Sequence, residues 1–135
     1  MDATGPVCTM TACSGPAAPK PVAGLLASRG SADGSTLSLT WNTAGCASPQ
    51  HEVLYGSLAA VSSLQVDGSV CGLGSGGSTT WNGAPAGNLW FVVVGSDGAG
   101  TEGSWGDGAG GAPRKGGDAS GQCSNVFRNN GGTCP

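Results

Sequence analysis

The chain has 135 residues, of which 27 are glycine and 8 proline, with 10% charged residues and a formal net charge of −3. Its five basic residues, Lys20, Arg29, Arg114, Lys115 and Arg128, are scattered, which argues against nucleic-acid binding, and no apolar run approaches the roughly 20 residues of a membrane-spanning helix. A hydrophobic share of 38% supports only a small core, so covalent staples are expected, and the absence of a Gly-X-Y period excludes a collagen-like chain.

Residues 1–20, "MDATGPVCTMTACSGPAAPK", mix Thr, Ser, Ala and Pro without a sustained period and read as an N-terminal arm. They contain neither a basic nor an apolar leader region, so a processed chain, or one with an added Met1, is expected. "PVAGLLASRG" predicts a short edge strand, since proline is tolerated at a strand start. In "STLSLTWN", Leu37, Leu39 and Trp41 alternate with Ser38, Thr40 and Asn42, the period of a half-buried strand. "HEVLYG" places His51, Val53 and Tyr55 on one face and Glu52 with Leu54 on the other. A weaker strand is expected around Leu64 and Val66, "CGLGSGGS" reads as loop, and "TTWNG" as a short extended piece. "LWFVVVGS" is apolar on both faces, and a glycine-rich segment containing Trp105 follows. Short strands separated by Gly, Pro, Ser and Asp turns predict an all-β antiparallel sandwich of about seven strands, spanning residues 21–115. Residues 116–135 are expected to form a C-terminal disulfide loop or tail.

Cys8, Cys13, Cys46, Cys71, Cys123 and Cys134 form an even set without a C-x-x-C pair, which favours disulfides over a metal site and implies an oxidising, extracellular setting. No metal or cofactor is expected. "CSNVFRNNGGTC" suggests closure by Cys123 and Cys134, with Cys8 and Cys13 closing a smaller loop. The spacings leave cross-pairing of the two tails open.

From about Pro21 to about Lys115 the residues resemble a fibronectin type III module of a secreted, bacterial-type protein. "TLSLTWN" resembles the family's second strand, with Trp41 at its core tryptophan. "HEVLYG" resembles the third, with His51, Val53 and Tyr55 at its aromatic, aliphatic and tyrosine positions. "TTWNGAPAGNLWFVVVGSDGAG" resembles the approach to the sixth strand, with Trp81 at an aliphatic position and Trp90 at the tyrosine of the corner motif. The resemblance implies an immunoglobulin-like sandwich and puts Cys46 and Cys71 in loops at one pole, hence a Cys46–Cys71 bond. It also implies that Trp90, Val92 and Val94 point inward and Leu89, Phe91 and Val93 outward. Such an outer apolar stripe needs a cover: the N-terminal arm, the C-terminal loop with Val126 and Phe127, or another chain.

His51 is the one ordinary general base, but no nucleophile frame surrounds it, so it reads as a strand histidine in a core aromatic's place. Asp97, Glu102 and Asp107 fail the spacing of a calcium loop and read as solvated turn residues. Trp81 and Trp105 are candidates for an aromatic platform stacking on glycan rings, Trp105 the better one because glycines flank it, although most of the four tryptophans are needed as core filling. The loops "TAGCASPQ", "CGLGSGGS" and "SDGAGTEG" lack the Trp, Tyr and Arg anchors of a binding hot spot and read as a spacer pole.

The expected function is therefore non-catalytic: an extracellular structural or assembly module. It would self-associate, or bind a neighbouring domain of its parent protein, through Leu89, Phe91 and Val93 or the tails. The competing reading is an accessory recognition module of a secreted enzyme, binding glycan or protein, with neither nucleic acid nor membrane insertion involved.

Overall fold

The computed structural model describes residues 21–44 and 47–130. Its strands are β1 (Ala23–Arg29), β2 (Thr36–Asn42), β3 (Gln50–Ser57), β4 (Gly68–Val70), β5 (Ser78–Asn82), β6 (Leu89–Ser96), β7 (Thr101–Gly103) and β8 (Phe127–Asn129). They form a three-stranded sheet ordered β1-β2-β5 and a five-stranded sheet ordered β4-β3-β6-β7-β8. Neighbours pair antiparallel except β7 and β8, which run parallel. The expected β-sandwich is therefore present. No helix among the described residues is long and apolar enough to cross a membrane.

The alternation in β2 does what its period dictates: Leu39 and Trp41 are buried while Ser38, Thr40 and Asn42 face solvent. From the opposing sheet, β3 sends His51, Val53 and Tyr55 inward. The two sheets meet through rings, with Trp41 5.3 Å from His51, Tyr55 4.9 Å from Trp81 and Trp81 5.8 Å from Phe91 between centroids. Leu39, Val53 and Val93, all fully buried, fill the space between the rings. Each such side chain contributes roughly 1.5–3 kcal/mol by leaving water, which lets a core of few residues hold the sandwich.

The register of β3 with β6 reverses the facing expected for the apolar run. Val93 lies opposite Val53 and Phe91 opposite Tyr55, and directly paired residues share a face of the sheet. Leu89, Phe91 and Val93 therefore point into the sandwich, where they join the cluster around Trp41 and Trp81. Trp90, Val92 and Val94 point outward and pack with Leu54, Leu64, Val66 and Trp105. Leu89, Phe91 and Val93 do not form an outward-facing assembly surface.

The region expected to be a strand around Leu64 and Val66 instead holds a 3-10 turn over Leu58–Ser63, started by the Ser57 side chain, which accepts from the Ala59 N–H at 3.2 Å. Asp67 fixes the return: its N–H donates to the Tyr55 carbonyl and its carboxylate accepts from the Ser57 N–H at 2.9 Å. Leu64 and Val66 are thereby laid over the outer face of the five-stranded sheet. Gly56 makes this approach possible, since a Cβ there would lie 2.1 Å from the Gln65 carbonyl oxygen and 2.8 Å from the Trp90 indole nitrogen.

Among the described residues the disulfide is Cys71–Cys123, with a Cα–Cα distance of 5.6 Å. It corrects both expected pairings that involve these residues, Cys46–Cys71 and Cys123–Cys134. The physical reason is that the segment after Lys115 folds back onto the outer face, carrying Cys123 to the end of β4 and adding β8 beside β7. Cys8, Cys13, Cys46 and Cys134 lie outside the described residues, as does any Cys8–Cys13 pairing.

Candidate functional site

The outer face of the five-stranded sheet carries the densest chemistry in the molecule. Strand alternation puts Glu52 on this face beside Leu54, while β7 contributes Glu102; both residues are almost wholly buried, at 2% and 0% exposure. A buried carboxyl group needs partners, and here they come from the C-terminal segment. Asn125 donates its amide to both Glu52 oxygens at 2.7 and 2.9 Å. The Ser120 N–H and hydroxyl donate to the two oxygens of Glu102, each at 2.6 Å.

Arg128 completes the arrangement from β8. Its guanidinium donates to Glu102 Oε1 through Nη2 at 3.0 Å and Nε at 3.3 Å, and neither side chain of the pair is exposed. The same guanidinium stands 4.6 Å from the ring centroid of Trp105 and donates to the carbonyls of Arg114 and Gly116. Trp105 also packs on Trp90, 6.0 Å away between ring centroids.

The electrostatics follow from burial. Removal from water pushes the Glu52 carboxyl up to about 8, the Asn125 hydrogen bond works against that rise, and the adjacent Glu102 charge and hydrogen bond add to it. Around neutrality Glu52 is thus mainly the neutral acid. It shares a hydrogen bond with Glu102, whose charge Arg128 balances. Asn125, Ser120 and Arg128 thus clamp the C-terminal segment onto the two sheet carboxyl groups.

Beside the clamp is a polar groove of about 640 Å³, lined by Gln65, Trp105, Lys115, Asp118, Ser120 and Gln122 among others. Trp105 is among the residues that line it but is only 2% exposed. The exposed ring face expected for glycan stacking is therefore absent: Arg128 and Trp90 occupy its surroundings, and Trp105 is core.

The remaining expected residues separate. His51 is buried, its Nδ1 2.8 Å from the Gly74 carbonyl oxygen; burial holds its imidazole below the ordinary 6.5, against the upward pull of that carbonyl. It serves as the core ring the strand pattern implied. Asp97 is a turn residue whose Oδ1 accepts from the N–H groups of Ala99 and Thr101. Asp107 lies in an isolated bridge to Pro113. Glu102 is not a solvated turn residue, because Ser120 and Arg128 arrive to enclose it.

The outer cover matches one expected source, with different residues. The C-terminal segment does cover the Trp90 face, but through Asn125 and Arg128, while Val126 and Phe127 are 68% and 67% exposed. Neither Glu52 nor Arg128 stood out from sequence reasoning. The one available signal was Glu52 itself, an acid sharing a strand face with Leu54 next to a strand that is apolar on both sides. No family model, curated protein or solved structure matches this chain.

Proposed function

We propose that this chain is a fibronectin type III-like, non-catalytic structural module of an exported protein, built to join copies of itself into an extracellular assembly. The family reading is supported by the strand order, with β1-β2-β5 facing β4-β3-β6-β7. Export is supported by the Cys71–Cys123 bond, which persists in oxidising compartments. The non-catalytic reading is supported by the state of the chemically capable groups: the His51 ring is buried against a carbonyl, and Glu52 is closed under Asn125.

The observation that carries the assembly reading is the incomplete edge of β6. Among the described residues β7 pairs with it only at Ser96, opposite Glu102, and Val22 reaches it only at the Val93 carbonyl; a strand edge short of partners is a template for another chain. Leu89, Phe91 and Val93 point into the sandwich, so the joint lies at an edge rather than on that row. Light scattering and electron microscopy of the oxidised protein across a concentration series test this: growth into filaments or sheets supports it, and a particle that stays monomeric throughout rejects it.

The polar groove above Trp105 favours the second reading, recognition of a small polar ligand such as a sugar through Lys115, Asp118 and Gln122. Calorimetric titration with a panel of soluble oligosaccharides tests it, since heat that disappears in Asp118→Ala supports a site there.

A further inference from the structure

An endoprotease of the trypsin type cuts after Lys or Arg, which its specificity pocket holds by charge. The chain offers it five such positions, and the fold treats them unequally. Lys20 lies outside the described residues and is followed by Pro21, a bond that such enzymes leave intact. Arg29 is laddered inside β1 opposite Leu37 of β2, and the turn after it is tied by Asp33 to Ser31 and Ser35. Arg128 is laddered inside β8, its side chain wholly buried against Glu102. Among the described residues, only Arg114 and Lys115 fall in an open segment.

Residues 109–118 are exposed at every position and include Gly110, Gly111, Gly116 and Gly117. The backbone bonds here are short-range: Gly108 N–H to Ala112, Gly111 N–H to Gly108, Arg114 N–H to Gly106 and Gly116 N–H to Pro113. Water replaces such bonds readily, and exposed loops of small residues held this way are where nicking concentrates. Within the basic pair the two residues differ. The Arg114 guanidinium is engaged, donating to the Trp105 carbonyl at 3.2 Å and lying over Gly106. Lys115 donates to the Ser63 carbonyl at 3.2 Å in an exposed contact. Its φ of 60° is in the left-handed region that a lysine seldom occupies, so being drawn out straight into a protease cleft relieves strain at the residue before the bond.

We propose that the Lys115–Gly116 bond is a processing site for a trypsin-like endoprotease, and that cutting it yields a two-chain molecule that keeps its fold. Water adds across the peptide bond, leaving a carboxylate on Lys115 and an ammonium group on Gly116. The new chain begins already seated, because the Gly116 carbonyl accepts from Asn130 Nδ2 at 2.9 Å and from Arg128 Nη1 at 3.4 Å. Farther along, Gln122 accepts from the Ser69 hydroxyl at 2.9 Å, while Ser120 and Asn125 hold the two sheet carboxyl groups. Cys71–Cys123 joins the two chains covalently. The segment that covers Glu52 and the Trp90 row thus passes from a chain tether to a disulfide tether. This site is independent of the assembly reading, since it needs neither a second copy nor a free strand edge.

The test exposes the oxidised full-length protein to a low proportion of trypsin and follows it by mass spectrometry, with and without reduction. The expected first product is a single species heavier by one water, with native tryptophan fluorescence, that separates on denaturation and reduction into residues 1–115 and 116–135. In Lys115→Gln, checked for the same fluorescence, that product is expected to be lost. Protein recovered from its native cells and their medium is expected to give, after reduction, a second N-terminal sequence starting at Gly116. A first cut after Arg29, Arg114 or Arg128 overturns the proposal, as does a cut that moves to Arg114 at an undiminished rate in Lys115→Gln. Loss of the native fluorescence on cutting, a parent that resists trypsin, or a natural chain that is continuous through Gly116 likewise overturns it.

Discussion

Replacing Arg128 by Met tests whether the clamp on the outer face is held by charge. The substitution keeps much of the aliphatic stem, so the change is chiefly loss of the guanidinium that contacts Glu102 at 3.0 Å, Trp105 at 4.6 Å and the carbonyls of Arg114 and Gly116. Those two carbonyl contacts are exposed and water replaces them at little cost. Glu102 keeps its two bonds from Ser120 but is left as a buried charge without a counter-ion, beside a second carboxyl group. Breaking a buried pair in this way costs about 3–5 kcal/mol, a fifth or more of the roughly 5–15 kcal/mol that holds a typical domain together. Urea unfolding followed by tryptophan fluorescence, with Trp90 and Trp105 reporting on the site, measures it. The double variant Glu102→Gln/Arg128→Met removes the stranded charge and is expected to recover more than half of the loss. A loss below about 1 kcal/mol for Arg128→Met, the level of an exposed pair, or a double variant no more stable than the single one, refutes the reasoning.

Glu52→Gln replaces a mainly neutral acid by an amide of the same shape that keeps one acceptor for Asn125 and a donor in place of the acid proton. Because the folded state raises the Glu52 carboxyl from 4.5 to about 8, its share of stability is fully present below about 4.5 and is lost as pH climbs through about 8. The variant should therefore gain on the parent by roughly 2–4 kcal/mol between pH 5 and 9, read by urea unfolding at the two pH values; a constant difference contradicts the placement of the proton. For His51 the sign is opposite: the depressed imidazole supports the fold above 6.5 and loses that support as pH falls below it. An NMR titration of its ring nitrogens is expected to reach half-protonation below 6.5, and a midpoint at or above 6.5 is the disproof. Removing the Cys71–Cys123 bond by double substitution to Ala opens a separation of 52 residues, for which chain entropy gives a loss of about 4 kcal/mol. Unfolding midpoints of the pair of proteins measure it, and an unchanged midpoint denies the bond a stabilising role.

How far the sequence spoke depended on how local the determining interaction was. The alternation of Leu37, Leu39 and Trp41 fixes β2 without outside information, and His51, Val53 and Tyr55 face inward as their period implies. The run Leu89–Val94 is apolar at every position, so period carries no facing; only the pairing of Val53 with Val93 decides it, 40 residues apart in the numbering. Glu102 sits in a glycine-rich stretch with every mark of a wet turn, and is enclosed because Arg128 returns 26 residues later. Phe127–Asn129 is too short to show a period at all. Cys123 pairs outside its own loop because residues 116–130 return to the sheet, a long-range event that the spacing of cysteines does not encode.

The hydrogen bond between Glu52 and Asn125 spans 73 positions of the chain, and it has a temporal meaning. A chain that emerges N-terminus first can form β1 to β6 while Glu52 still faces water, because Asn125 and Arg128 have yet to appear. Desolvating that face before they arrive would bury carboxyl groups with no donors, so the last stage of folding must wait for the C-terminal residues. A molecule cut short before Asn125 would present Glu52 and the Trp90 row together, an acidic and greasy surface that a protease or chaperone can recognise. The clamp thus marks the difference between a finished copy and an interrupted one.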